Sequence, residues 1–304
     1  MRARLMLVLV VLGGTVTFGE EEIRPPSVVM NHLYIVLDQP TFEAVRASKF
    51  LTTEFAAVDT GLPRFEPVTA DSQSIYLRGE QTYLELFGPE NPFGEPVGKV
   101  GIGLGVEKAG GIAWVQKQLL SVQPNVTRML RRWDFDTPKP VNWYDVVYPE
   151  HPADTQIVWW VSEYHPDFLP ALYPDRPRAE TGILRKHFLA PNFRSDRVFK
   201  DITALTLRLP EERASRLASD LKALGFKLAI DGNLRVLTGP DLVVRIGLAE
   251  TGTRDPLQSI DFRANSTNAR AGEHRLGQNL WIRFGPEDRG SIEFDRVTSG
   301  PLRR

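Results

Sequence analysis

The chain has 304 residues, of which 42% are hydrophobic, and its 37 basic residues nearly balance its 38 acidic ones. The length favours two domains, and the composition excludes wholesale disorder. Because the charges balance, the chain has no net positive charge that would attract nucleic acid. We therefore expect a globular protein without a nucleic-acid partner. The sequence has no cysteine, which excludes disulfides, thiolate zinc sites, iron–sulfur clusters and a cysteine nucleophile.

The first residues have the charge pattern of an export signal. Arg2 and Arg4 precede an apolar run over residues 5–12, an order typical of a secretory signal peptide. We therefore predict a signal peptide over 1–19, a Pro-rich tether over 20–27 and an exported protein, periplasmic or extracellular. The alternative is a retained anchor, because the cleavage region lacks a small-x-small pattern. Contact with a membrane is then expected through this segment alone.

Folding is predicted to start at Val28, with one order of elements repeated along the chain. Alternating and β-branched residues predict a strand, and amphipathic spacing predicts the helix that follows it. The first unit has the order β-α-β-β-β, with a strand at 31–37, a helix beginning near Thr41 and strands at 54–58, 74–77 and 82–87.

The same order recurs after residue 100. The second unit has a strand at 100–106, a helix at 112–120 and strands near 128–135, 141–148 and 156–164. We assign residues 28–174 to an N-terminal domain and 175–200 to a Pro- and Arg-rich linker.

A second domain is predicted over residues 201–296, followed by a tail over 297–304. Its first unit has a strand at 203–209, a helix at 211–224 and strands at 227–230, 234–237 and 242–248. Its last unit is degenerate, because 265–277 shows no helical periodicity and only 279–284 and 291–294 have strand patterns. The fold class is therefore α+β, with paired β-α-β-β-β modules forming curved mixed sheets around a cavity.

The residues at the two ends of the first unit carry a family resemblance. A histidine opens its first strand in Asn31-His32-Leu33-Tyr34-Ile35-Val36-Leu37, and a glutamate lies within its last strand in Thr82-Tyr83-Leu84-Glu85-Leu86-Phe87-Gly88-Pro89. This arrangement resembles the vicinal oxygen chelate superfamily of glyoxalase I, bleomycin-resistance proteins and extradiol dioxygenases. The resemblance implies a site whose metal ligands come from matching positions of two partner modules.

The strand period places the candidate site residues on one side of the sheet. Tyr83, Glu85 and Phe87 share one face of their strand, and His32 and Tyr34 share one face of theirs. If both strands curve around one cavity, Tyr34, Tyr83 and Phe87 line it. Imidazole and carboxylate then suit a divalent cation such as Zn²⁺, Fe²⁺ or Mn²⁺.

The remaining metal ligands are not obvious in the sequence. Alignment of the second unit on the first sets Ser162 against Glu85, so Glu163 or His165 is the nearest candidate for a third ligand. Glu163 would need a bulge or a one-residue shift to face inward. Glu85 could instead be a salt-bridged carboxylate and His32 a core histidine.

The second domain lacks these ligands in its sequence. Arg245 takes the place of Glu85, and Ile202 or Thr203 the place of His32, so no metal is expected in that half.

Three functions remain open from the sequence. The first is a metal-dependent enzyme acting on a small oxygenated substrate, with Glu85 or Glu163 as a base. The second is a module that sequesters a small, partly aromatic molecule without turning it over. The third is a structural or interaction protein of the cell envelope.

Overall fold

The computed structural model describes residues 25–152, 155–178, 182–249, 256–265 and 272–294. The predicted signal peptide, and so any export signal, lies outside these residues. No helix within them is long and apolar enough to cross a membrane.

The N-terminal sheet is built from two successive modules of the predicted order. The first comprises strand β1 (Val28–Val36), helix α1 (Gln39–Ala47), a π-helical turn (Leu51–Phe55) and strands β2 (Ala57–Asp59), β3 (Ser74–Arg78) and β4 (Tyr83–Phe87). The second comprises β5 (Val100–Val106), α2 (Gly111–Leu120), β6 (Val126–Trp133), β7 (Val141–Pro149) and β8 (Ile157–Tyr164). Together they form one eight-stranded mixed sheet, in the order β2-β3-β4-β1-β5-β8-β7-β6.

The C-terminal sheet repeats this strand order. Its modules comprise β9 (Phe199–Leu209), α5 (Glu211–Ala223), β10 (Lys227–Asp231), β11 (Leu234–Thr238) and β12 (Val243–Leu248), then β13 (Leu257–Ala264), β14 (Gly272–Leu276), β15 (Leu280–Phe284) and β16 (Arg289–Phe294). The strand order β10-β11-β12-β9-β13-β16-β15-β14 matches that of the first sheet. The predicted α+β class with paired modules is therefore confirmed.

Local chemistry moves some element boundaries away from the predicted ones. Helix α1 begins at Gln39, because the Asp38 carboxylate accepts a hydrogen bond from the backbone N–H of Thr41 at 2.8 Å. The strand predicted at 54–58 is shorter and later, since the π-helical turn occupies Leu51–Phe55.

The last module is degenerate in a specific way. Only seven residues, 265–271, join β13 to β14, and β13 pairs with β16 in antiparallel fashion. The equivalent strands β5 and β8 are parallel, because helix α2 returns the chain to the other end of the sheet. The last three strands of the second sheet therefore run in the opposite direction to β6, β7 and β8. Strand β14, which the sequence analysis did not predict, is the first of them.

The back faces of the two sheets share one hydrophobic core. Phe55 of the first half contacts Phe199 and Phe262 of the second, with ring centroids 5.6 and 5.3 Å apart. Each sheet therefore turns its other, concave face away from this core.

A buried carboxylate also joins the two halves. Asp220 of α5 accepts hydrogen bonds from the side-chain nitrogens of Gln123 at 2.5 Å and Trp159 at 3.1 Å. These contacts tie α5 to the first domain.

The segment between the two sheets packs on the first of them. It contains helices α3 (Phe168–Leu172) and α4 (Arg185–Leu189), which overlap the predicted linker only in part. Arg185 is 5% exposed and forms ion pairs with Glu107 at 3.0 Å and Asp241 at 2.7 Å. The segment covers the concave face of the N-terminal sheet, because Phe188 packs on Tyr83 and Phe168 packs on Tyr164, with ring centroids 5.9 and 4.9 Å apart.

Candidate functional site

The parallel pairing of β1 with β4 brings the two predicted metal ligands together. His32 lies opposite Tyr83, and Tyr34 lies opposite Glu85, two positions further along. The His32 Nε2 and Glu85 Oε1 atoms are 4.0 Å apart on the concave face. The prediction that these side chains face one another is therefore matched by the geometry, whereas metal ligation by them stays a prediction.

Aromatic rings enclose the His32 imidazole. It stacks on Tyr83 with ring centroids 4.7 Å apart, and the Trp160 ring meets it edge-on at 5.3 Å. Its Nδ1 atom lies 3.0 Å from the Asn31 side-chain oxygen, which requires the proton on Nδ1. Burial, assisted by the charge of Arg78, lowers the pKa of His32 to about 3, so the ring is neutral at physiological pH.

Glu85 is the central acid of this face. Burial raises its pKa to about 8, although the Arg78 charge and a hydrogen bond with Tyr83 oppose this shift. The carboxyl group is therefore mostly protonated at pH 7 and can donate a hydrogen bond.

Tyrosines surround this acid. Five of them have raised pKa values, chiefly through burial, and the charge of Glu85 adds to each shift: Tyr34, Tyr76, Tyr83, Tyr144 and Tyr164.

A buried ion pair beside this acid was missed by the sequence analysis. The Arg78 guanidinium, 1% exposed, donates to both carboxylate oxygens of Asp59 at 2.8 and 2.7 Å. It lies over the rings of Tyr76 and Tyr83, 4.7 and 5.0 Å from their centroids. The strand period places Arg78 on the same face as Tyr76, two residues along β3, but it gives no sign that the guanidinium is buried or paired.

The candidate third ligands make other contacts. Glu163 accepts hydrogen bonds from the backbone N–H groups of Gly110 and Ile112, both at 2.8 Å, at the start of α2. His165 Nδ1 lies 3.2 Å from the Asp167 carboxylate, on the approach to α3. Across the described ranges, no group of three or more His, Asp or Glu side chains could hold a metal ion.

Strand register identifies the positions at which a partner module would supply ligands. Gly103 lies opposite Trp160, and Gly105 opposite Ser162, as His32 lies opposite Tyr83 and Tyr34 opposite Glu85. Gly103 therefore takes the place of His32, and Ser162 the place of Glu85.

Neither of these partner positions offers a metal ligand of the expected kind. Gly103 has no side chain, and a Cβ atom there would lie 2.6 Å from the His32 ring. The Ser162 hydroxyl donates to the carbonyl of Leu104 at 3.3 Å. Half of the ligand set implied by the superfamily resemblance is missing, so the residues present do not fit a divalent metal of that kind.

The predicted cavity lining is a packed layer. Tyr34, Tyr83 and Phe87 are 9%, 6% and 2% exposed. The covering segment adds Phe188, whose ring centroid lies 5.9 Å from that of Tyr83. Access from solvent remains at Glu85, whose side chain is 12% exposed.

The second sheet carries different residues at these positions. Arg245 lies opposite Thr206, as Glu85 lies opposite Tyr34, and Ala204 rather than Ile202 or Thr203 takes the place of His32. The predicted match was wrong because the prolines beside the two helices are not equivalent. Pro40 lies within α1, which begins at Gln39, whereas Pro210 is the N-cap residue before Glu211 of α5, so matching the prolines shifts the alignment by two residues.

A family model covers most of this architecture. Residues 30–291 match DUF5829, which is described as a family of unknown function. The chain belongs to DUF5829. No curated protein matches it.

Solved structures similar to this DUF5829 protein include a Mn(II)-bound glyoxalase from Novosphingobium aromaticivorans, at 12% identity and a TM-score of 0.43, covering 90% of this chain and 86% of that one. A hypothetical protein from Staphylococcus aureus has 15% identity, a TM-score of 0.43 and coverages of 73% and 87%. A catechol 2,3-dioxygenase has 13% identity, a TM-score of 0.42 and coverages of 76% and 69%.

Proposed function

We propose that this DUF5829 protein binds a small oxygenated molecule at the Glu85 carboxyl, on the concave face of its N-terminal sheet, without a metal. The observation that carries the proposal is a buried carboxyl with a pKa of about 8, close to five tyrosines. Such a group donates a hydrogen bond at neutral pH, as a carbonyl or hydroxyl ligand requires.

The surrounding rings favour a flat ligand. Tyr34 and Trp160 pack with centroids 6.1 Å apart, and Tyr148 lies 6.3 Å from Trp160. Beside this packed layer, Tyr76, Tyr144 and Tyr148 are partly exposed and can contact a planar molecule that reaches Glu85 from solvent. We infer that the ligand combines an aromatic or otherwise planar body with one or two oxygen atoms.

Catechol is a suitable probe, because it is planar and carries two vicinal hydroxyl groups. Isothermal titration of the whole chain with catechol should show saturable binding at pH 7. Glu85→Ala should weaken it by roughly tenfold or more, since a buried donor is lost. Glu85→Gln keeps a neutral donor and should bind within about threefold of the wild type.

The pH dependence separates this hydrogen bond from general packing. Wild-type affinity should fall as pH rises through about 8, where Glu85 loses its proton. The Glu85→Gln variant has no titratable group at this position, so its affinity should not fall with the deprotonation of Glu85. Any fall in its affinity at high pH reports the ionisation of catechol itself and can be subtracted. Glu43→Gln, on the exposed face of α1, is the matched control. Parallel pH profiles in the wild type and Glu85→Gln would refute the proposal.

A metal-dependent enzyme is the second candidate, favoured by the His32 and Glu85 pair at 4.0 Å. The test is metal analysis after dialysis against Zn²⁺, Fe²⁺ or Mn²⁺. Our proposal expects no stoichiometric metal. Retained metal that is lost in both His32→Ala and Glu85→Ala would favour the enzyme instead.

We also propose that the protein is exported. The charged and apolar order of residues 1–19 supports this. N-terminal sequencing of the mature protein should find a start between about residues 17 and 23. A cytoplasmic product that still begins at Met1 would refute export.

A further inference from the structure

The concave face of the C-terminal sheet is open where that of the N-terminal sheet is filled. Ala204 and Val243 lie opposite one another there, at the positions that His32 and Tyr83 occupy in the first sheet. Small side chains in place of two stacked rings leave a cavity of about 830 Å³. This volume falls within the range of small-molecule sites.

Arginine side chains dominate the lining of this cavity. Its basic residues are Lys200, Arg245, Arg263, Arg283 and Arg289, and its acidic residues are Asp261, Glu287 and Asp288. Hairpin geometry confirms that Arg245 replaces Glu85, because Gly239 and Gly79 close the same turn with hydrogen bonds of 2.9 Å. The central acid of one face is therefore a permanent cation in the other.

The lining arginines differ in how their N–H donors are used. Arg245 donates one hydrogen bond to Asp261 at 2.8 Å, which leaves further donors on its guanidinium group. Among the described residues, the carboxylates paired with Arg263 and Arg289 are Asp201 and Glu287, each at 3.9 Å and so beyond hydrogen-bonding distance. Both side chains are more than half exposed.

We propose that this cavity binds a small anion with two negative charges, such as a phosphate group or a short dicarboxylate presents. Arg263 and Arg289 supply N–H donors that no carboxylate of the described residues accepts from, and Arg245, paired with Asp261, has further N–H donors. Planar guanidinium groups match the oxygens of either anion in bidentate fashion. This site is independent of the one proposed at Glu85.

The test is isothermal titration of the whole chain with inorganic phosphate and, separately, with succinate. Ionic strength is held constant with sodium chloride, and glucose serves as the uncharged ligand. We expect saturable binding of at least one anion, and the stronger of the two identifies the source. Arg263→Ala/Arg289→Ala should weaken that binding by roughly tenfold or more, because two charge-assisted hydrogen bonds are lost.

Two further variants keep the result interpretable. Arg263→Lys/Arg289→Lys retains both charges and should bind more tightly than the alanine pair, even if truncation perturbs folding. Arg208→Ala removes an exposed arginine of the same sheet that does not line the cavity, and should bind within about twofold of the wild type. The proposal is overturned if neither anion binds above the chloride background, if glucose binds more tightly, or if the alanine pair binds like the wild type.

Discussion

Removing one partner of the buried Arg78–Asp59 pair should destabilise the fold far more than removing both. The two hydrogen bonds are 2.8 and 2.7 Å long, and the side chains are 1% and 9% exposed. Each single replacement leaves an uncompensated charge inside the first domain. We expect Arg78→Met and Asp59→Leu each to lower the free energy of unfolding by about 3–5 kcal/mol.

The double variant should recover much of this loss. Methionine is close to arginine in volume, and neither methionine nor leucine leaves a buried charge, so the double variant should be several kcal/mol more stable than the two losses added together. Recovery should be incomplete, since the backbone N–H of Gly61 also donates to Asp59 at 2.7 Å and loses that acceptor, a cost of about 1–3 kcal/mol.

Urea denaturation of the four proteins measures the coupling directly. The exposed pair between Arg64 and Asp136, at 3.2 Å, is the control, and Arg64→Ala should have little measurable effect. Additive losses at Arg78 and Asp59 would refute the reasoning, because the two charges would then not depend on one another.

Two further predictions concern packing and pH. Gly103→Ala places a Cβ atom 2.6 Å from the His32 ring and should lower the free energy of unfolding by about 1–3 kcal/mol. In the control Gly105→Ala, the nearest atom is 3.4 Å from the new Cβ, so the loss should be smaller. Equal urea midpoints of the two variants would contradict this. Burial raises the pKa of Asp220 from 3.8 to about 6, so its charged form is disfavoured in the folded state and stability falls as pH rises from about 4 to about 6. Relative to Asp220→Asn, the wild type should lose about 3 kcal/mol of folding stability between about pH 4 and about pH 6. Identical pH dependence of the thermal unfolding midpoint in the two proteins would show that Asp220 does not titrate in this range.

The strand period was enough to predict the central pair of the site. A period of two placed His32 and Tyr34 on one face of β1, and Tyr83 and Glu85 on one face of β4. These strands are neighbours in the sheet, so residues on the same face meet without further information about packing. The same rule placed Glu163 on the face opposite Ser162, where it caps α2.

The two-residue strand period could not predict that Arg78 is buried or that a segment covers the concave face. A charged residue next to a Gly-containing turn, as Arg78 is, has the local pattern of a solvated turn residue. Its burial depends on Asp59 and Phe188, which are 19 and 110 residues away in the sequence and reach it only in the folded chain. The covering segment was missed for the same reason, since a Pro- and Arg-rich composition is typical of linkers.

The two concave faces show how a few positions decide what one architecture can bind. The two sheets share one strand order and a central parallel strand pair, β1 with β4 and β9 with β12, so the backbone forms the same concave face in both. In the first sheet, aromatic rings fill the concave face, and burial favours the neutral form of Glu85. In the second, Ala204 and Arg245 line an open cavity, and Arg245 is 34% exposed and paired with Asp261. Side-chain volume at the His32 position therefore sets how dry the neighbouring ionisable group is. Dryness decides the protonation state of Glu85, whereas Arg245 is a cation whatever its hydration, so residue identity and side-chain volume together fix what each face can bind.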